Sequence, residues 1–364
     1  MENLRIPGPT PCPPEVLQVM TKQMINHRGA EFAEMLNGVT ANLKTMFQTK
    51  NDVLCLTGSG TGGMETAIVN VLSPGDKVLS ATCGVFGDRF ATIAQVFGAE
   101  VVSIKAEMGR AVDVGAIKAA LQKDATIKAV LVTHNETSTG VTNDLASIAR
   151  TAKEFGKLLI VDAISSLGSI DCPVDKWQID VAITGSQKGW MAPPGLTMLS
   201  ISETAWKAHA ASKMPKVYWD ITRAKRYLER GQTPWTPAIS VVYALSISLN
   251  MMLKEGLQNV FARHARLAEQ TRKGVKAMGL KLLPVEEKIA SNTVTAIWPP
   301  EGVDADKMRK TMRDKYRVVL SGGQGSLEGK IFRIGHLGLC SEKDIEDTLS
   351  ALRKSLPEHG YQPK

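Results

Sequence analysis

The sequence predicts an α/β fold: a mostly parallel, seven-stranded sheet with helices on both faces, followed by a small α+β domain. Two observations carry this reading. From about residue 52 to residue 201, short apolar, β-rich runs alternate with helical patterns, the arrangement that builds parallel sheets. Beyond a long helical stretch, Ala238 to Met278, the style changes to shorter strands spaced by helices.

Taken in order, Pro7, Pro9, Pro11, Pro13 and Pro14 predict an extended N-terminal arm over residues 1–14, because proline fixes its own φ and restricts the residue before it. Glu15 to Gln48 reads as helix, broken near Arg28-Gly29. The seven strands are expected at Val53–Thr57, Lys77–Ala81, Glu100–Ile104, Ile127–Thr133, Leu158–Asp162, Val181–Thr184 and Thr197–Ile201. Helical patterns between them cover Gly63–Leu72, Asp88–Phe97, Val114–Leu121 and Asp144–Phe155. In the last third, strands are expected at Val294–Trp298, Arg317–Leu320 and Ile331–Ile334, with helices at Asp304–Lys315 and Glu342–Leu356. Residues 15–255 are the expected large domain and residues 256–364 the small one.

Composition narrows the class. The chain has 364 residues, 43% of them hydrophobic, and a formal charge of +8, which suits an ordinary globular protein. Its basic residues are scattered and not interleaved with aromatics, so nucleic acid is not an expected partner. Five cysteines stand far apart with no C-x-x-C pair, which predicts free thiols in a reducing cytoplasm rather than disulfides or a metal site. No run approaches the length of a membrane span, and neither a signal peptide nor a peroxisomal tripeptide is recognisable.

The chemistry concentrates on polar residues at predicted strand ends. Lys188 follows Val181–Thr184, and Asp162 ends Leu158–Asp162; the separation is 188 − 162 = 26 residues. Ligands of open α/β sheets bind at the carboxyl ends of strands. A lone amine and a lone acid there suit pyridoxal phosphate, which needs a lysine for its aldehyde and an acid for its ring nitrogen. Gly58-Ser59-Gly60-Thr61-Gly62-Gly63, after the first strand, is either a phosphate cradle or a plain turn. Arg333, within a predicted strand, is either a carboxylate clamp or half of a structural salt bridge. His134-Asn135-Glu136-Thr137 gathers further polar groups at the same edge, and His336 reads as structural.

Val161-Asp162-Ala163-Ile164-Ser165-Ser166-Leu167-Gly168 and Gly185-Ser186-Gln187-Lys188, with Ala192-Pro193-Pro194-Gly195, carry a resemblance. On them the chain resembles the class V aminotransferases of fold type I, in the alanine–glyoxylate / serine–pyruvate branch. The likeness runs from Pro7-Gly8-Pro9-Thr10 to Arg333-Ile334-Gly335. It implies pyridoxal 5'-phosphate held by Lys188 as a Schiff base, with Asp162 on the ring nitrogen. Ile164 and Phe86 would cover the two ring faces, and Thr137 would bond the ring substituents. Ser59, Gly60, Thr61 and Gln187 would take the phosphate. Arg333 would clamp the substrate carboxylate, near Pro9 of the arm. A loop matching Gln232–Pro237 would complete the phosphate site of a neighbouring subunit, through Gln232, Thr233 or Thr236, which implies a homodimer.

The implied reaction moves an amino group from alanine or serine to glyoxylate or pyruvate; another small donor such as aspartate is the alternative. A desulfurase or lyase of the same fold would need a cysteine in Ser321–Gly329, and none stands there. A non-catalytic relative would not need Lys188, Asp162 and Arg333 together.

Overall fold

The computed structural model describes residues 2–364. The chain opens with strand β1 (Asn3–Arg5), then helices α1 (Pro14–Val19) and α2 (Ala30–Phe47). The alternating region follows: β2 (Asp52–Thr57), α3 (Gly60–Val71), β3 (Lys77–Thr82), α4 (Val85–Val96), β4 (Glu100–Lys105), α5 (Val114–Lys123) and β5 (Ile127–Thr133). A short hairpin, β6 (Asn135–Glu136) and β7 (Val141–Thr142), leads to α6 (Leu145–Glu154) and β8 (Leu158–Asp162). Then come β9 (Val181–Gly185), β10 (Leu196–Ile201), α7 (Glu203–Ala211), α8 (Ile221–Leu228), α9 (Ile239–Glu255) and α10 (Leu257–Ala277). The chain finishes with β11 (Lys281–Leu282), β12 (Val294–Trp298), α11 (Ala305–Tyr316), β13 (Val318–Gly322), β14 (Phe332–Gly335) and α12 (Glu342–Ser355).

The seven expected strands form one seven-stranded sheet in the order β2-β10-β9-β8-β5-β3-β4. Only β10 runs against its neighbours β9 and β2. The central strands are buried along nearly their whole length, as a sheet covered on both faces requires. One apolar cluster fills the α6 and α9 side, around Val130, Val132, Val161, Ala182 and Trp190. The other packs α3 and α4 against Leu131, Ile160, Ile183 and Leu199. Trp190 is fully buried; its indole N–H donates to Thr184 Oγ1 at 2.8 Å, and its ring stacks on Phe47.

A second, five-stranded sheet has the order β1-β13-β14-β12-β11. The arm expected over residues 1–14 is therefore anchored at its start: Asn3–Arg5 pairs in parallel with Val318–Leu320. A three-residue edge strand is too short to leave a period-two signal in the sequence. The long helical stretch is two helices, parted at Gly256, whose φ of 87° lies in the left-handed region that glycine adopts without strain. The gap between α1 and α2 is also wider than the expected break at Arg28-Gly29, spanning residues 20–29.

Candidate active site

The carboxyl ends of β2, β3, β5, β8 and β9 share one edge of the large sheet and deliver the polar residues to it. A cavity of about 320 Å³ opens there, and its walls include Pro9, Ser59, Gly60, Thr61, Phe86, Thr137, Asp162, Ile164, Gln187 and Lys188. Ten residues picked from distant parts of the sequence thus meet in one place. Arg333 stands just behind the wall, donating from Nη1 to the carbonyl oxygen of Thr137 at 2.8 Å. Gln232, Thr233 and Thr236 do not line this cavity. Arg28 binds Gln232 Oε1 at 3.2 Å and the Thr233 carbonyl at 2.6 Å, while Thr236 is exposed.

Lys188 follows β9 through the tight turn Ser186-Gln187, and its amine donates to the Pro7 carbonyl at 2.6 Å. Burial pushes the amine down to about 8, and the neighbouring Arg333 charge adds to the shift. Asp162, the last residue of β8, is buried and accepts from the Ile164 amide at 2.9 Å and from Thr133 Oγ1 at 3.3 Å. No side-chain cation bonds it among the described residues, and burial raises its carboxyl to about 6. In each group burial disfavours the charged form.

Helix α3 begins at the cradle. Ser59 is its N-cap and makes no side-chain cap bond, so the first-turn amides are donors that the helix itself leaves free. Gly60 lies flat under Ile164: a Cβ there would come within 2.5 Å of Ile164 Cδ1. Gln187 Oε1 is buried and has no hydrogen-bond partner. Thr137 Oγ1 donates to Ser165 Oγ at 2.8 Å, and Asn135 Nδ2 reaches the same oxygen at 2.8 Å.

Arg333 answers one alternative left open by the sequence. It makes no salt bridge among the described residues; Nε donates to the Gly322 carbonyl at 2.8 Å and Nη1 to Thr137 and Gln324. Nη2 has no protein partner among them. A buried guanidinium without a bonded acid keeps capacity for an anion. His336 is fully buried, with Nε2 bonded to Thr295 at 2.9 Å, and burial keeps its ring neutral. That fits a structural role.

Sequence reasoning missed Gly8, Met64, Arg89, Asn135, Ser165 and Pro194 as wall residues. Asn135, Ser165, Gly8 and Pro194 stand within the motifs quoted above, and that position is the signal that marks them. Arg89 lies mid-helix with no local signal; its guanidinium sits 4.8 Å from the Phe86 ring centre.

These groups meet the demands of pyridoxal phosphate. The free α3 amides and the Ser59 and Thr61 hydroxyls suit a phosphate. Asp162, without a cation, suits a protonated ring nitrogen, and the orphaned Gln187 oxygen has a donor to find. The described residues hold no cluster of three His, Cys, Asp or Glu side chains placed for a metal ion, and no helix is long and apolar enough to cross a membrane.

Fold and site define an α/β enzyme with its cavity at the carboxyl edge of a mostly parallel sheet. The aminotransferase class-V family model matches residues 3–345. The chain belongs to that family, and it is an aminotransferase. It is 45% identical over 362 residues to a soluble hydrogenase 42 kDa subunit of Anabaena cylindrica, covering 99% of this chain and 94% of that one. It is 40% identical to an L-aspartate–glyoxylate aminotransferase of Paracoccus denitrificans, over 93% and 86% of the two chains. It is 38% identical to a serine–glyoxylate aminotransferase of Methylorubrum extorquens, over 99% and 92%. Among solved structures, an alanine–glyoxylate aminotransferase of Nostoc sp. superposes with a TM-score of 0.93 at 30% identity, over 98% and 95%.

Proposed function

We propose that this enzyme uses pyridoxal 5'-phosphate to move the amino group of alanine or serine to glyoxylate or pyruvate. One observation carries the reading: a buried lysine amine, a buried acid without a cation and a free helix N-terminus share one cavity.

In this reading Ser59, Gly60, Thr61 and Gln187 hold the phosphate, and Phe86 and Ile164 enclose the ring. Asp162 holds the ring nitrogen and Thr137 a ring substituent. Bound there, the cofactor supplies an aldehyde for amines and a ring that takes up electrons from the substrate Cα. Arg333 binds the substrate carboxylate through Nη2, with Pro9 near the entrance. Fixing the carboxylate presents the Cα–H bond, rather than the Cα–carboxylate bond, for cleavage. Lys188, when its amine is free, takes the proton from Cα. An amine pushed down to about 8 is free near neutral pH far more often than an ordinary lysine.

Gln232, Thr233 and Thr236 lie outside their own cavity, which supports a homodimer whose partner loop completes the site. Five free thiols support a cytoplasmic setting. Aspartate as donor is the second reading, favoured by the 40% identical relative from Paracoccus denitrificans.

The test is a half-reaction screen. The loaded enzyme is mixed with single amino acids, and the visible band of the bound cofactor is followed. Alanine or serine should bleach it, and glyoxylate should restore it. Bleaching by aspartate alone would move the assignment to the second reading. No response to any of the three would overturn both.

A further inference from the structure

Helix α4 starts without a cap of its own. The residue before it, Gly84, has no side chain, and no side-chain cap bond is made from that position. Its first three amides are nevertheless satisfied, from a turn some fifty residues later in the chain. The Val85 amide donates to Ser138 Oγ at 3.0 Å. The Phe86 and Gly87 amides donate to Glu136 Oε2 at 3.1 and 3.0 Å. The other oxygen, Oε1, accepts from the Ser138 amide at 3.0 Å and from its hydroxyl at 2.6 Å.

Glu136 is completely buried. Its two oxygens face four donors at the positive end of the α4 dipole, which favour the carboxylate, while burial pushes its carboxyl above the usual range. Gly84 makes the approach possible: a Cβ there would lie 2.5 Å from Glu136 Cγ and 2.4 Å from Ser138 Oγ. The same turn grips the other side of the site. The Thr137 carbonyl accepts from Arg333 Nη1, and the Thr137 hydroxyl donates to Ser165.

We propose that Glu136 is a positioning residue for the transamination. It fixes Phe86 through backbone amides and Arg333 through its own turn, and so sets the spacing between the ring wall and the carboxylate clamp. It touches neither cofactor nor substrate. The inference rests on the roles given above to Phe86 and Arg333.

Glu136→Gln keeps the shape but turns two N–H groups toward donors. Two readouts separate positioning from mere helix capping: KM against kcat for the amino donor, and the visible circular dichroism of the bound cofactor. KM should rise about tenfold, the effect of one disturbed charge-assisted hydrogen bond, with a smaller change in kcat. The dichroism should fall, because Phe86 no longer holds one orientation. A lower melting temperature with unchanged KM and dichroism would overturn the proposal. Should Glu136→Gln not fold, Ser138→Ala decides by the same readouts, since it removes one of the four bonds to Glu136, together with the Val85 amide bond, and keeps the carboxylate. A wild-type protein that neither binds the cofactor nor transaminates would instead sink the functional reading itself.

Discussion

The amine of Lys188 donates its hydrogen bond to the backbone carbonyl of Pro7. The N-terminal segment is fastened on both sides of that contact, downstream to the lysine loop and upstream to the small sheet. The Thr10 amide donates to the Gln187 carbonyl, and the Thr10 hydroxyl to the Lys188 carbonyl, each at 3.0 Å. Upstream, β1 lies in the small sheet beside β13, whose last residue, Gly322, holds Arg333 through its carbonyl. The segment therefore ties Lys188 to the sheet that carries Arg333.

Gly8 is the tightest point of this segment. A Cβ there would fall 2.8 Å from Lys188 Nζ, at a φ of +131° that side chains rarely adopt. Gly8→Ala should lower kcat/KM about 100-fold, the usual cost of misplacing a reacting group by an ångström. Lys188→Ala should abolish steady turnover altogether. Steady-state kinetics on both variants check the pair, and wild-type cycling by Lys188→Ala would remove the lysine from the mechanism.

Arg333→Lys replaces a planar fork with a point charge. Lysine cannot hold Gly322 and Thr137 with two nitrogens and keep a third for substrate. KM for amino donors should rise about 10- to 100-fold, the range for a lost hydrogen bond to a charged group. An unchanged KM would take Arg333 out of the clamp role.

Lys188 must lose a proton before it can attack the cofactor aldehyde. Burial and Arg333 bring its amine down to about 8, so loading of apo-enzyme should speed up as pH rises through about 8 and level off above. In Arg333→Gln the depressing charge is gone, and the half-point should move to higher pH. Stopped-flow absorbance across a pH series measures both curves.

Asp162 makes a prediction about stability. Its carboxyl is raised from 3.8 to about 6 by burial, so the folded apo-protein binds this proton more tightly than the unfolded chain does. The contribution is full below pH 4 and is lost as pH rises through about 6. Asp162→Asn lacks that titration. The stability of wild type relative to the variant should therefore fall by about 2 kcal/mol between pH 4.5 and 7. Urea unfolding of both apo-proteins at the two pH values tests this. His134, pushed down to about 4 by burial, titrates in the opposite sense, but it is common to both proteins and cancels.

The large sheet was legible because each buried strand is a short apolar run and each helix between has its own period. Lys188 and Asp162 were legible because both close such runs, and the glycines of the cradle because they stand between a strand and a helix. Element starts were less so. Helix α3 begins three residues earlier than the pattern predicts, at Gly60 rather than Gly63. Glycine is a poor helix former, and it stands at Gly60 for a reason local sequence does not express: Ile164 occupies the space where a side chain would go.

What the sequence alone determined is therefore the order of the large sheet's strands along the chain with the main helices between them, the edge of the sheet where polar groups collect, and the family to which these motifs belong. Tertiary structure decided what depends on contact between distant segments. Helix α4 starts at Val85 because Glu136 and Ser138 bind its first amides; without them Gly84 offers no cap, and the pattern pointed to Asp88 instead. Asn3–Arg5 is a strand only because β13 lies beside it. Arg333 has no bonded acid because the fold turns backbone carbonyls toward its guanidinium and engages the nearby Glu136 carboxylate with other donors. Periodicity and capping act over a few residues, whereas these bonds join residues up to hundreds of positions apart, so only the folded chain contains them.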